Sequence, residues 1–102
     1  MIIAIDFDGT FTRDPVMWTR FIHDAEQRGH KVIMVTGRSN WSEDMARLGV
    51  NSLLPVFFTS GELKDKHMRQ LGYVVDIWID DMPGTVQECK ILNTTNTPNK
   101  EL

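Results

Sequence analysis

The 102-residue sequence is short of several things. It has one cysteine, Cys89. No disulfide can therefore close within the chain, and a reducing compartment is expected. No apolar run approaches the ~20 residues of a membrane-crossing helix. The N-terminus has no basic start followed by a long apolar stretch, so no secretory leader is expected and the cytoplasm is the expected location. Positive charge is also scarce: 11 Lys and Arg against 14 Asp and Glu leave a net charge of −3. That removes the electrostatic case for broad nucleic-acid binding or for a membrane surface. The three histidines, His23, His30 and His67, share no metal-ligand spacing and are expected at the surface. There is no repeat, linker or low-complexity stretch.

What remains is an ordinary globular composition, 41% apolar and 25% charged, in a chain long enough for one small domain. Its pattern alternates short apolar runs with helical periodicity. Ile2–Ile5 is continuous and β-branched, as in a strand buried on both faces. Asp14-Pro15 reads as an N-cap and first helical residue. Val16, Met17, Phe21, Ile22 and Ala25 follow at helical spacing until Gly29. Lys31–Thr36 is a second buried strand. Asn40 with Glu43 resembles a capping box ahead of a helix over Trp41–Leu48, closed by Gly49. A third strand is expected within Leu53–Phe58, a helix over Glu62–Leu71, and a fourth strand over Val74–Ile79. A last helix is expected from Pro83 to about Leu92, with residues 93–102 forming a polar tail. This β-α alternation predicts an α/β domain with a parallel sheet and right-handed crossovers.

Ligands of open α/β sheets bind outside the carboxyl ends of the strands. The ends here carry Asp6 and Asp8 after strand 1, and Thr36, Gly37 and Arg38 after strand 2. Ser60-Gly61 and then Lys64 follow strand 3, and Asp80 and Asp81 follow strand 4. Crowded carboxylates repel one another unless a cation holds them. Oxygen-only donors suit Mg²⁺. A magnesium site with a lysine and a hydroxyl nearby suggests phosphate chemistry.

In this order the residues resemble the four motifs of the haloacid dehalogenase superfamily of phosphohydrolases. Asp6-Phe7-Asp8-Gly9-Thr10 is similar to the first motif and Thr36 to the second. Lys64 is similar to the third, and Ile79-Asp80-Asp81 to the fourth. The likeness spans residues 2–92. It implies a three-layer Rossmann-like fold with strand order 3-2-1-4. It also implies that Asp6 attacks phosphorus and becomes an aspartyl-phosphate, while Asp8 moves the protons. Thr36 and Lys64 would hold phosphoryl oxygens, and Thr10, Gly37 and Arg38 would line the substrate. Mg²⁺ would be held by Asp6, the Asp8 backbone carbonyl and the Asp80-Asp81 pair, Asp81 ranking ahead of Asp80 as the direct ligand. Lys66 remains an alternative to Lys64.

Only 27 residues separate Asp8 from Thr36, and another 27 separate Thr36 from Lys64. Neither interval has room for a cap domain. The likeness therefore implies a capless enzyme for a nucleotide, a nucleic-acid end or another large phosphorylated substrate, or one that borrows a neighbouring subunit as a lid. Competing readings are a receiver-like phospho-acceptor domain, disfavoured because no Asp follows strand 3, and a non-catalytic binding module on the same fold. Trp18, Trp41 and Trp78 read as core or helix-face anchors rather than base-stacking platforms, with Trp41 starting the helix beside Arg38.

Overall fold

The structure is a computed structural model and describes residues 1–88. Cys89, the far half of the expected last helix and the polar tail lie outside the described residues.

Four strands form one all-parallel sheet: β1 (Ile2–Ile5), β2 (Lys31–Thr36), β3 (Val56–Phe58) and β4 (Ile77–Ile79), in the order β3-β2-β1-β4. Alternation along the strands divides the core in two. Ile3 and Ile5 of β1 and Val32 and Met34 of β2 face a cluster built with Phe7, Phe11, Ile22, Ala25, Met45 and Val50. Ala4, Ile33 and Val35 face the other way, against Met68 and Val75. These contacts place α1 (Pro15–Gln27), α2 (Glu43–Arg47) and α3 (Val50–Leu53) on one face and α4 (Lys64–Gln70) on the other.

The first half follows the sequence closely. The Asp14 carboxylate accepts from Met17 N at 3.1 Å, capping α1 with Pro15 at its first position. Gly29, at φ +88°, follows the helix end. The interval from Asp8 to Thr36 holds a 3-10 turn (Phe11–Arg13), α1 and the first residues of β2.

The second half differs at several boundaries. The helix expected over Trp41–Leu48 is shorter, and a second helical turn follows it at Val50–Leu53. Gly49, at φ +72°, reverses the chain between the two. The Asn40–Glu43 capping box does not form. Ser42 occupies the N-cap position, and the Asn40 carboxamide accepts from its neighbour Trp41 N at 2.9 Å. Leu53 belongs to α3, so β3 begins only at Val56, although the Pro55 carbonyl already accepts from Met34 N. The Asp76 carboxylate takes the Ile2 N–H at 2.7 Å, the place of a ladder carbonyl, and β4 is confined to Ile77–Ile79. Helix α4 begins at Lys64 rather than Glu62. The segment expected to open a last helix at Pro83 forms a 3-10 turn, Pro83–Thr85, tied to α4 by a bond from Asp65 N to Val86 O.

Candidate active site at the carboxyl edge of the sheet

The strand order reverses at β1: β2 and β3 are added on one side and β4 on the other. Such a switch point opens a crevice at the strand ends, and the acidic residues stand there. The β1–β4 ladder pairs Ile5 with Ile79 and continues through Asp6 N to Ile79 O at 2.9 Å, setting Asp6 beside Asp80. Period-2 alternation carries Asp6 to the Ala4 face and Asp80 to the Trp78 face. Both are the α4 face.

Lys64, the first residue of α4, meets them. It is 3% exposed, and its Nζ lies 2.7 Å from Asp6 Oδ1 and 2.6 Å from Asp80 Oδ2. Lys66 is exposed, so of the two lysines it is Lys64 that reaches the carboxylates. The deciding feature is helical phase: Lys64 and Met68, four apart, are the two buried residues of α4. Asp80 is held further by Met82 N on Oδ1, at 2.9 Å.

Burial pushes the Asp6 carboxyl up to about 6; the Lys64 ammonium opposes this, and the neighbouring Asp80 adds to it. The Thr10 hydroxyl lies 3.4 Å from Asp6 Oδ2 and 3.3 Å from Asp81 Oδ1, linking the two carboxylates. Asp6, Asp80 and Asp81 can each offer an oxygen within 4.8 Å of the others. This all-oxygen donor set fits a hard divalent cation. Asp80 is engaged by Lys64, whereas Asp81 is exposed, which makes Asp81 the freer ligand.

Gly9 lets this happen. It sits at φ +80°, and a Cβ there would fall 2.5 Å from Asp81 Oδ2. Real Cβ atoms do not approach so closely, so the turn after Asp8 must be side-chain-free for Asp81 to stand where it does.

Thr36 is buried at the end of β2, and its Oγ1 accepts from Arg38 N at 3.2 Å. The loop after β3 zips onto the loop after β2. Thr59 N donates to Thr36 O at 2.9 Å, Ser60 N to Arg38 O at 3.2 Å, and Gly61 N to Gly37 O at 3.0 Å. Ser60 and Gly61 both have positive φ, at +53° and +85°. This tight turn aims the chain into α4 and so places Lys64. Thr59 is buried and bonded through its hydroxyl to Thr36 O, a role that nothing in its sequence position signals.

Asp8 does not join the other three carboxylates. Its side chain is 55% exposed and pairs with Arg38: Nη2 to Oδ1 at 2.8 Å and Nε to Oδ2 at 2.9 Å. Arg38 also donates to both oxygens of Asp44, at 3.0 Å each, and to Ser42 Oγ. Its guanidinium lies over the Phe7 ring, 5.0 Å from the centroid. Two carboxylates, Asp8 first, raise the Arg38 pKa further. In turn Arg38, with help from Ser42, holds the Asp44 carboxyl well below the usual carboxylate range. Ser42 and Asp44 carry no sequence signal of a site role, since neither stands at a strand end. Trp41 is exposed, with its ring edge-on to Phe58 at 5.3 Å.

No protein-family model, curated protein or solved structure matches the chain.

Proposed function

We propose that this chain is a Mg²⁺-dependent phosphate monoester hydrolase of haloacid dehalogenase type on a Rossmann-like fold. The observation that carries the reading is the Lys64 ammonium clasped between Asp6 and Asp80, with Asp81 completing a three-carboxylate cluster at the sheet's switch point.

Each residue has a role that its position suits. With its carboxyl near 6, Asp6 is mostly ionised at neutral pH and can act as a nucleophile. Its oxygen bonds to phosphorus as the ester P–O bond breaks. Asp8 takes up a proton as the ester binds and gives it to the leaving oxygen, which departs as an alcohol. Water then attacks phosphorus, and Asp8, now a carboxylate, takes its proton. The Asp6–phosphorus bond breaks, releasing inorganic phosphate. Lys64 and the Thr36 hydroxyl donate to the phosphoryl oxygens, and Thr10 steadies Asp6 and Asp81. Asp6, Asp81 and the Asp8 carbonyl would hold Mg²⁺, with Asp80 in support; the ion supplies positive charge against the transferring group. Asp8 and Asp81 are exposed, so the edge suits a phosphate borne on a nucleotide, a nucleic-acid end or another large substrate.

The test is turnover of aryl phosphate, nucleotide and oligonucleotide esters with Mg²⁺ or EDTA, comparing wild type with Asp6→Asn, alongside calorimetric Mg²⁺ binding. Metal-dependent turnover that Asp6→Asn abolishes is the expected result. Tight Mg²⁺ binding without turnover of any ester would replace the enzyme with a binding module. Failure to bind Mg²⁺ would overturn both.

A further inference from the structure

Asp8 poses a problem for a site without a cap. A proton-transfer group must be held in one orientation, yet the Asp8 side chain is more than half exposed on a turn. Among the described residues, Arg38 makes both hydrogen bonds that its carboxylate receives.

Arg38 can do this because it is itself held. A guanidinium has five N–H donors in a rigid plane, and here all three nitrogens are engaged. Nε and Nη2 donate to Asp8, Nη2 and Nη1 donate to Asp44, and Nη1 also meets Ser42 Oγ. The face of the plane rests on buried Phe7. Asp44 lies in the first turn of α2 and is fixed in its turn by Met45 N, at 2.9 Å from Oδ1. A rigid route thus runs from α2 through Asp44 and Arg38 to the carboxylate of Asp8. Both two-pronged faces of the guanidinium are taken by carboxylates, which leaves neither for a phosphate.

We propose that Asp44 is a positioning residue: it clamps Arg38 so that Arg38 orients Asp8 for proton transfer to the leaving oxygen. The inference rests on the phosphatase reading, and it assigns Arg38 to Asp8 rather than to substrate. Without Asp44, two of the five guanidinium bonds disappear and the plane is free to turn about its remaining contacts.

The readout is leaving-group dependence of kcat/KM, which covers the steps up to leaving-group departure. A nitrophenyl ester departs as a stable anion and needs little protonation, whereas an alkyl ester must be protonated. Asp44→Asn is expected to lower kcat/KM for an alkyl phosphate by at least about tenfold more than for nitrophenyl phosphate, acting on kcat rather than KM. Should Asp44→Asn fail to fold, Asp44→Glu, which keeps the charge but shifts it, should give the same pattern at smaller size. An equal fall on both esters, no change, or a faster alkyl-ester rate would overturn the proposal. The last would mean that Arg38 restrains Asp8 instead of aiming it. Absence of Mg²⁺-dependent turnover by wild type on these two esters and on nucleotide and oligonucleotide esters would overturn the phosphatase reading itself, so the two failures are distinguishable.

Discussion

Asp6 stands in a place that favours its neutral form, and the consequence is measurable without a substrate. Its carboxyl is raised from 3.8 to about 6, first by burial. Between those values the folded state keeps a proton that the unfolded state has released. Stability contributed by this group is therefore lost as pH rises across that window, and it stays lost above. Asp6→Asn removes the charge while leaving Lys64 its partner Asp80. At pH 7.5 without metal, the variant is expected to be more stable than wild type in urea by about 1–3 kcal/mol. The difference should close below about pH 4. A variant no more stable at pH 7.5 would mean that the Lys64 contact outweighs burial. At this same scale, the sequence displayed Asp6, Asp80 and Asp81 because each follows an apolar run. It could not display Asp44 or Ser42, whose importance comes from where a guanidinium reaches.

At the scale of elements, α4 matters through its first residue. Lys64 puts one cation against two buried carboxylates, and removing one member of such a group leaves uncompensated charge. Lys64→Met keeps the length of the side chain and its packing beside Met68. It is expected to cost about 3–5 kcal/mol at neutral pH, less in acid where the carboxylates take up protons. Thermal melts at pH 5 and pH 8 check this; a loss that did not depend on pH would point to packing instead. The elements themselves were legible where one physical signal dominated. β1, α1 and β2 came through because continuous apolar runs and the Asp14-Pro15 cap agree. The α2–α3 region did not, because Gly49 both ends one turn and starts another, and apolar spacing cannot separate five residues of helix from eight. β4 is shorter than its sequence suggests: Val74 and Val75 look like strand residues, whereas the Asp76 side chain occupies the ladder position.

For the molecule as a whole, the parallel sheet and its order set three carboxylates together, and a cation that binds only the folded state must stabilise it. At a Mg²⁺ concentration one hundred times its dissociation constant, the gain is about 2.7 kcal/mol. For a domain of this size that raises Tm by roughly 10–20 °C. The shift should be large at pH 8 and fade toward pH 5, as protons compete for Asp6. No shift at either pH would remove the metal from the site. Among the described residues no helix is long and apolar enough to cross a membrane.

The guanidinium and the ammonium at this edge are both outnumbered. Among the described residues, Asp6, Asp8, Asp44, Asp80 and Asp81 face Lys64 and Arg38 alone, so this set carries a formal excess of three negative charges. That equals the excess on the entire chain, −3. The field in front of the strands therefore turns away any approaching anion, a phosphate ester included, and draws in cations. Under the proposed function this gives arrival an order: a divalent ion comes first and offsets two of the three excess charges, which eases the entry of the phosphate.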